Sequence, residues 1–147
     1  MRYLLLISLY LSGVSCVCTR EVPVTGALPV GDSGHLFRYQ ARITAGRSVI
    51  TGLFVVKHAR GEWRGSLINE FGIKAFDFIV VERRCRLLNT TPFLDKWYIR
   101  RTLGSDLAFL CAGGKPKGRR VERSAGGTVI LTHEKRHIEY LLQPMTR

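Results

Sequence analysis

His133-Glu134-Lys135-Arg136-His137 is a literal H-E-x-x-H. On a helix, two histidines four residues apart share one face and can hold zinc, while the glutamate acts as general base toward a metal-bound water. The neighbours argue against that use. Val129, Ile130 and Leu131 before it, and Ile138, Tyr140 and Leu142 after it, have strand character. Both middle positions are charged, and of the strong ligands only Glu139 follows, too close to serve as the third protein ligand zinc needs. The segment reads as a hairpin tip. A zinc-dependent hydrolase is the least favoured function, and no metal, no cofactor and no catalytic residue is expected.

Cysteine chemistry points elsewhere. Met1-Arg2, an apolar run from Tyr3 to Leu11, and Gly13-Val14-Ser15 precede Cys16. A positive start, a short apolar stretch and small residues make a secretory signal. The run is too short for a membrane span, which needs roughly 18–20 apolar residues. Ser15 before Cys16 suits a bacterial lipoprotein signal, although Gly13 stands where Leu or Val is usual. Residues 1–15 are then removed and Cys16 is acylated, each buried CH₂ adding about 0.8 kcal/mol of anchoring. An ordinary secretory signal that happens to contain a cysteine is the alternative. Residues 16–34, with Pro23, Gly26, Pro29 and Gly31, read as a tether. Cys18, Cys85 and Cys111 show no metal-ligand spacing. Cys85 and Cys111 are the one pair inside the folded part, as a disulfide or as two buried thiols.

The chain has 147 residues, enough for one domain, here residues 35–147. Lys+Arg is 23 against Asp+Glu 11, a net charge of +12, which favours an anionic partner. An exported address argues against nucleic acid and for anionic lipid, and plain solvated charge is the alternative. Asp77, between Phe76 and Phe78, is either a buried carboxylate with a raised pKa or one satisfied by a neighbour such as Lys74.

Period-two patterning predicts strands over 35–44, 48–58, 62–69, 73–81 and 85–89, joined by short turns. A helix is predicted from Pro92 to about Leu110, capped by Thr91 with Asp95 near its positive end. Phe93, Leu94, Trp97, Tyr98, Leu103, Leu107 and Leu110 form its apolar side. A basic glycine-rich loop follows, then a short strand over 119–123 and a final pair over 128–132 and 137–142. The fold class is α+β, mainly β: a curved antiparallel sheet or half-open barrel of seven or eight strands with one helix on its concave side. The second and fourth strands are apolar on both faces, so they should sit centrally with both faces covered.

An exported lipoprotein start, Gly52-Leu53-Phe54-Val55-Val56-Lys57, Asn69-Glu70-Phe71-Gly72, Ala75-Phe76-Asp77-Phe78 and Leu94-Asp95-Lys96-Trp97 together resemble small Bacteroidetes lipoproteins. These in turn resemble the Lol lipoprotein-sorting family, over about residues 37–110. The resemblance implies a half-open barrel with an apolar cavity for acyl chains. The expected lining is Phe37, Tyr39, Phe54, Trp63, Phe76, Phe78, Leu94 and Trp97, and closed core is the alternative for each. Lys115, Lys117, Arg119 and Arg120 are expected at the mouth, touching an anionic headgroup. The chain departs from the family in being short, with few elements to form a lid. A non-enzymatic, periplasm-facing outer-membrane lipoprotein that binds lipid or lipoprotein acyl chains is therefore expected. The competing reading is a structural envelope lipoprotein with a protein or anionic glycan partner.

Overall fold

A computed structural model of the chain describes residues 24–31 and 34–145. The signal segment, Cys16 and Cys18 lie outside the described residues. Among the described residues, eight strands form one antiparallel sheet: β1 (Leu36–Ala45), β2 (Ser48–Ala59), β3 (Glu62–Asn69), β4 (Lys74–Val81), β5 (Arg84–Leu88), β6 (Arg119–Arg123), β7 (Val129–His133) and β8 (Ile138–Pro144). One helix, α1 (Trp97–Ala112), lies between β5 and β6 in the chain. The order across the sheet is β5-β4-β3-β2-β1-β8-β7-β6. β1 is therefore central, paired on one side with its hairpin partner β2 and on the other with the late strand β8.

The sheet is open, with β5 and β6 at its edges, yet both edges reach the same helix. Arg100 of α1 donates to the Leu87 carbonyl of β5 at 3.1 Å, and Arg119 of β6 donates to Asp106 of α1 at 2.7 Å. Eight strands spaced about 4.8 Å apart would span over 30 Å if flat, whereas a helix is about 10 Å wide. The sheet must therefore curl around α1. Strand parity decides what enters the hollow. Tyr39, Ala41 and Ile43 of β1, Phe54 and Val56 of β2, and Leu131, Tyr140 and Leu142 of β7 and β8 are buried with Leu103, Leu107 and Leu110 of the helix.

Three expectations need correction. The helix begins at Trp97, not Pro92, and Lys96 precedes it in extended conformation without a side-chain cap. Thr91 instead gives its N–H to the Ala75 carbonyl and its carbonyl to Leu94 N–H, making a separate turn. That turn buries Leu94, and the chain must redirect before a helix can start. The stretch expected as a tether is folded in part. Val24 bridges Gly114, and Ala27 and Leu28 are buried, both donating to the Leu110 carbonyl. Gly26 is needed there, since a Cβ would lie 2.2 Å from the Cys111 oxygen. Finally, β2 and β4 are interior strands, but the outer face of the sheet has no second layer among the described residues. Leu53, Val55, Ile68 and Ile79 remain half-buried on it.

Candidate functional site

The antiparallel register brings the β1–β2 turn, the β3–β4 turn, the β7–β8 turn and the segment before α1 to one end of the sheet. There a cavity of about 410 Å³ opens between the sheet and the first half of the helix. Ile43, Ile50, Ile138 and Tyr140 form its sheet wall, and Tyr98, Ile99 and Leu103 its helix wall, with Phe76 and, from the segment before α1, Phe93 and Leu94 also on the lining. Arg136 is the cation on its lining. The exposed aromatic side chains among the described residues are Phe71, Phe93, Trp97 and Tyr98, and all four lie at this end. Phe71 is 87% exposed and Trp97 72%, and the exposed aliphatics Val49 and Ile73 join them. Clustering of this kind marks an interaction surface more than scattered exposure does.

Behind the cavity sits a polar cluster that the sequence reading missed. Asp106, in the middle of α1, is fully buried. Its carboxylate accepts from Arg119 Nε at 2.7 Å and from Tyr140 Oη at 2.8 Å, and His133 Nδ1 lies 3.1 Å from Oδ1. Arg119 also donates to Ser105 Oγ at 2.5 Å, and its guanidinium lies over the Phe109 ring, 5.5 Å from the centroid. Burial first, and then the charge and hydrogen bond of Asp106, push the Tyr140 hydroxyl well above its ordinary pKa, so it stays a donor. The cluster ties β6, β7 and β8 to one point of the helix. A signal for it existed in strand parity: Arg119, His133 and Tyr140 occupy inward positions beside Val121, Leu131 and Leu142.

The expected site residues separate into groups. Phe76 and Leu94 line the cavity. Tyr39, Phe54, Trp63 and Phe78 are buried in the continuous core, with Phe54 and Phe78 stacked at 5.5 Å between centroids, and Phe37 packs against its margin. Trp97, expected on the lining, is instead the first residue of α1, exposed and not among the residues that line the cavity. None of Lys115, Lys117, Arg119 and Arg120 lines the apolar cavity. Arg119 is committed to Asp106, and Arg120 pairs with Glu134 at 2.6 Å.

The H-E-x-x-H is a hairpin tip. Glu134–Arg136 form a single 3₁₀ turn between β7 and β8, and His137 follows in the left-handed region at φ 52. His133 turns inward to Asp106 while His137 is exposed, so the two histidines do not share a helical face. No group of three or more His, Cys, Asp or Glu among the described residues is placed to hold a metal ion.

Asp77 is on the outer face. Burial pushes its carboxyl up, but hydrogen bonds from Asn89, Ser66 and Lys74 and the Lys74 charge together outweigh it and hold the carboxyl below its ordinary value. The neighbour-satisfied reading holds, and the raised pKa does not. Cys85 and Cys111 are free thiols, and burial pushes Cys85 up to about 12 and Cys111 higher still. No family model, no curated protein and no solved structure matches the chain.

Proposed function

We propose that the chain is a non-enzymatic lipoprotein, anchored through Cys16 to the outer membrane and facing the periplasm, that shelters an acyl chain of a lipid or lipoprotein. The observation that carries this reading is the apolar cavity between α1 and the sheet, about 410 Å³, opening at the end that bears every exposed aromatic of the described residues. That volume lies within the roughly 300–1,000 Å³ of small-molecule sites. An acyl tail needs apolar walls and no hydrogen-bonding partner, which the isoleucines and leucines of the lining supply. Trp97 and Tyr98 suit a membrane interface, where an aromatic body can be buried with its polar edge wet, and Phe71 and Phe93 add apolar area beside them. Arg47, Lys96, Lys135 and Arg136 in the turns at the same end favour an anionic headgroup layer. The resemblance to the Lol family, whose members enclose acyl chains in a half-open barrel, points the same way.

Titration with a fluorescent fatty acid tests the cavity. Saturable uptake is expected, and Thr102→Trp, placed on the lining, should weaken it at least about tenfold, or about 1.4 kcal/mol, with the fold intact. Absence of saturable uptake by the unaltered protein would make the interior plain core. Cys16→Ser followed by cell fractionation tests the anchor, and the variant should leave the membrane fraction.

A further inference from the structure

Helix α1 separates the apolar cavity from a second groove. Ile99, Thr102 and Leu103 face the cavity, whereas Arg100, Arg101, Gly104, Ser105 and Ala108 face the groove. The β4–β5 turn and the loop after α1 border this open groove of about 600 Å³. Its cations are Arg83, Arg100, Arg101, Lys115, Lys117 and Arg119, and no carboxylate among the described residues lines it. Arg100 and Arg119 are matched by Asp95 and Asp106. Arg83, Arg101 and Lys115 are exposed and have no carboxylate partner among the described residues.

Two further observations favour a built site over plain solvated charge. Part of the groove wall carries little or no side chain: Gly104, Ala108, Gly113 and Gly114 line it, and a Cβ on Gly114 would meet nothing within 4 Å. The backbone also holds cations where side chains are disfavoured. Arg83 has φ 67 after Glu82 at φ 46, a two-residue hairpin turn for which Asn-Gly is the easy choice, and Lys117 has φ 48. Like charges converging on a concave surface repel one another, and a bound anion relieves that repulsion. The groove continues past Cys85 into a hollow lined by Arg86, Arg100 and Arg101, so the positive surface is longer than one anionic group.

We infer that this groove binds a ligand carrying two or more closely spaced phosphates. The planar fork of an arginine matches two phosphate oxygens at once, and arginines outnumber lysines here. The phosphates belong either to a membrane headgroup or to a soluble phosphoester, and the same side chains read both. The site stands apart from the acyl-chain reading, since it lies on the opposite flank of α1.

The full-length protein is titrated with tripolyphosphate at an ionic strength of about 0.15 M and again at higher salt. Saturable binding that weakens steeply with salt is expected. The variant Arg83→Gln/Arg101→Gln/Lys115→Gln should bind at least tenfold more weakly, with unchanged circular dichroism and thermal unfolding, because all three side chains are exposed. Its fatty-acid uptake should equal that of the unaltered protein, which keeps the outcome separate from the fate of the cavity. Cardiolipin vesicles that displace tripolyphosphate assign the phosphates to a headgroup, and vesicles that do not displace it assign them to a soluble phosphoester. If the unaltered protein shows no saturable binding, or the triple variant binds as tightly, the inference is overturned.

Discussion

The two halves of α1 have different surroundings. From Leu103 to Cys111 every residue except Ser105 is buried, while from Trp97 to Thr102 none is. Apolar content does not explain the contrast, because the exposed half begins Trp97-Tyr98-Ile99. The difference lies in what the sheet and the chain ends offer each half. The second half receives the 24–28 segment on Leu110 and three polar partners from β6, β7 and β8 on Asp106. The first half meets a cavity on one side and the basic groove on the other, tied to β5 through Arg100 and the Leu87 carbonyl. Burial is thus assigned by topology as much as by residue type, and large aromatics are left outside at one end.

The largest test of the contrast is removal of the clamp. Asp106→Ala would strand the Arg119 guanidinium, whose side chain is only 7% exposed, without its counter-charge. Breaking a buried pair on one side costs about 3–5 kcal/mol, readable from denaturant midpoints. Replacing both partners, as Asp106→Leu with Arg119→Met, should recover much of that loss, because two desolvated charges are removed together. A single-variant cost below about 1 kcal/mol would mean that the cluster does not hold the second half in place. Next in size is a pair of truncations along the helix. Leu107→Ala empties a fully packed position and should cost about 2–5 kcal/mol. Ile99→Ala only widens an existing cavity and should cost less than half as much. Equal costs would erase the distinction between the halves.

Much of this architecture was legible because it rests on period-two patterning and short turns. The strands and their antiparallel order in each hairpin followed from Phe37-Tyr39-Ala41-Ile43 and its successors. The β1–β8 pairing did not, since nothing local links residues 39–45 to 138–144, and only a shared core brings them together. Pro92 and Asp95 are good first-turn residues, yet the helix starts later because tertiary contacts of Thr91 and Leu94 override that preference. Of the site, Phe76 and Leu94 were legible as apolar residues near the helix, but closed core and cavity wall use the same residue types. The Asp106 cluster was not legible, because a lone carboxylate in mid-helix shows nothing of its partners until Arg119, His133 and Tyr140 are placed around it.

A smaller effect concerns the thiols at the buried half. Cys111, in α1, is buried and Cys85 partly so, and burial pushes both thiols far above neutral pH. Since the thiolate is the reactive species, both should be inert toward maleimide at pH 7 in the folded protein. Labelling in denaturant should be complete, and Asp106→Ala should accelerate labelling of Cys111 if the clamp keeps this half closed. Smaller again is the role of Asp77 on the outer face. Its carboxyl is held below its ordinary value, so its contribution is complete at neutral pH and is lost as pH falls below about 4, through the depressed folded value. Asp77→Asn should therefore flatten the acid limb of the stability profile and change little above pH 6.

The smallest change in stability is expected at the exposed half, with the largest consequence for binding. Trp97 is 72% exposed and Phe93 60%, and their removal takes little area out of the core. The ring contact of Trp97 with Tyr98, 6.0 Å between centroids, is itself solvent-exposed. Ala is also a better helix former than Trp at the first position of α1, which offsets part of any loss. Trp97→Ala with Phe93→Ala should therefore shift stability by no more than about 0.5 kcal/mol. If this end meets a bilayer, the same variant should sediment less with anionic vesicles, measured in a Cys16→Ser background so that the lipid anchor does not mask the effect. A loss of stability above about 1.5 kcal/mol would show that the aromatics do core work, and the contrast between the halves would collapse. Unchanged vesicle binding with unchanged stability would leave the rim without a membrane role, and its partner would have to be sought among proteins.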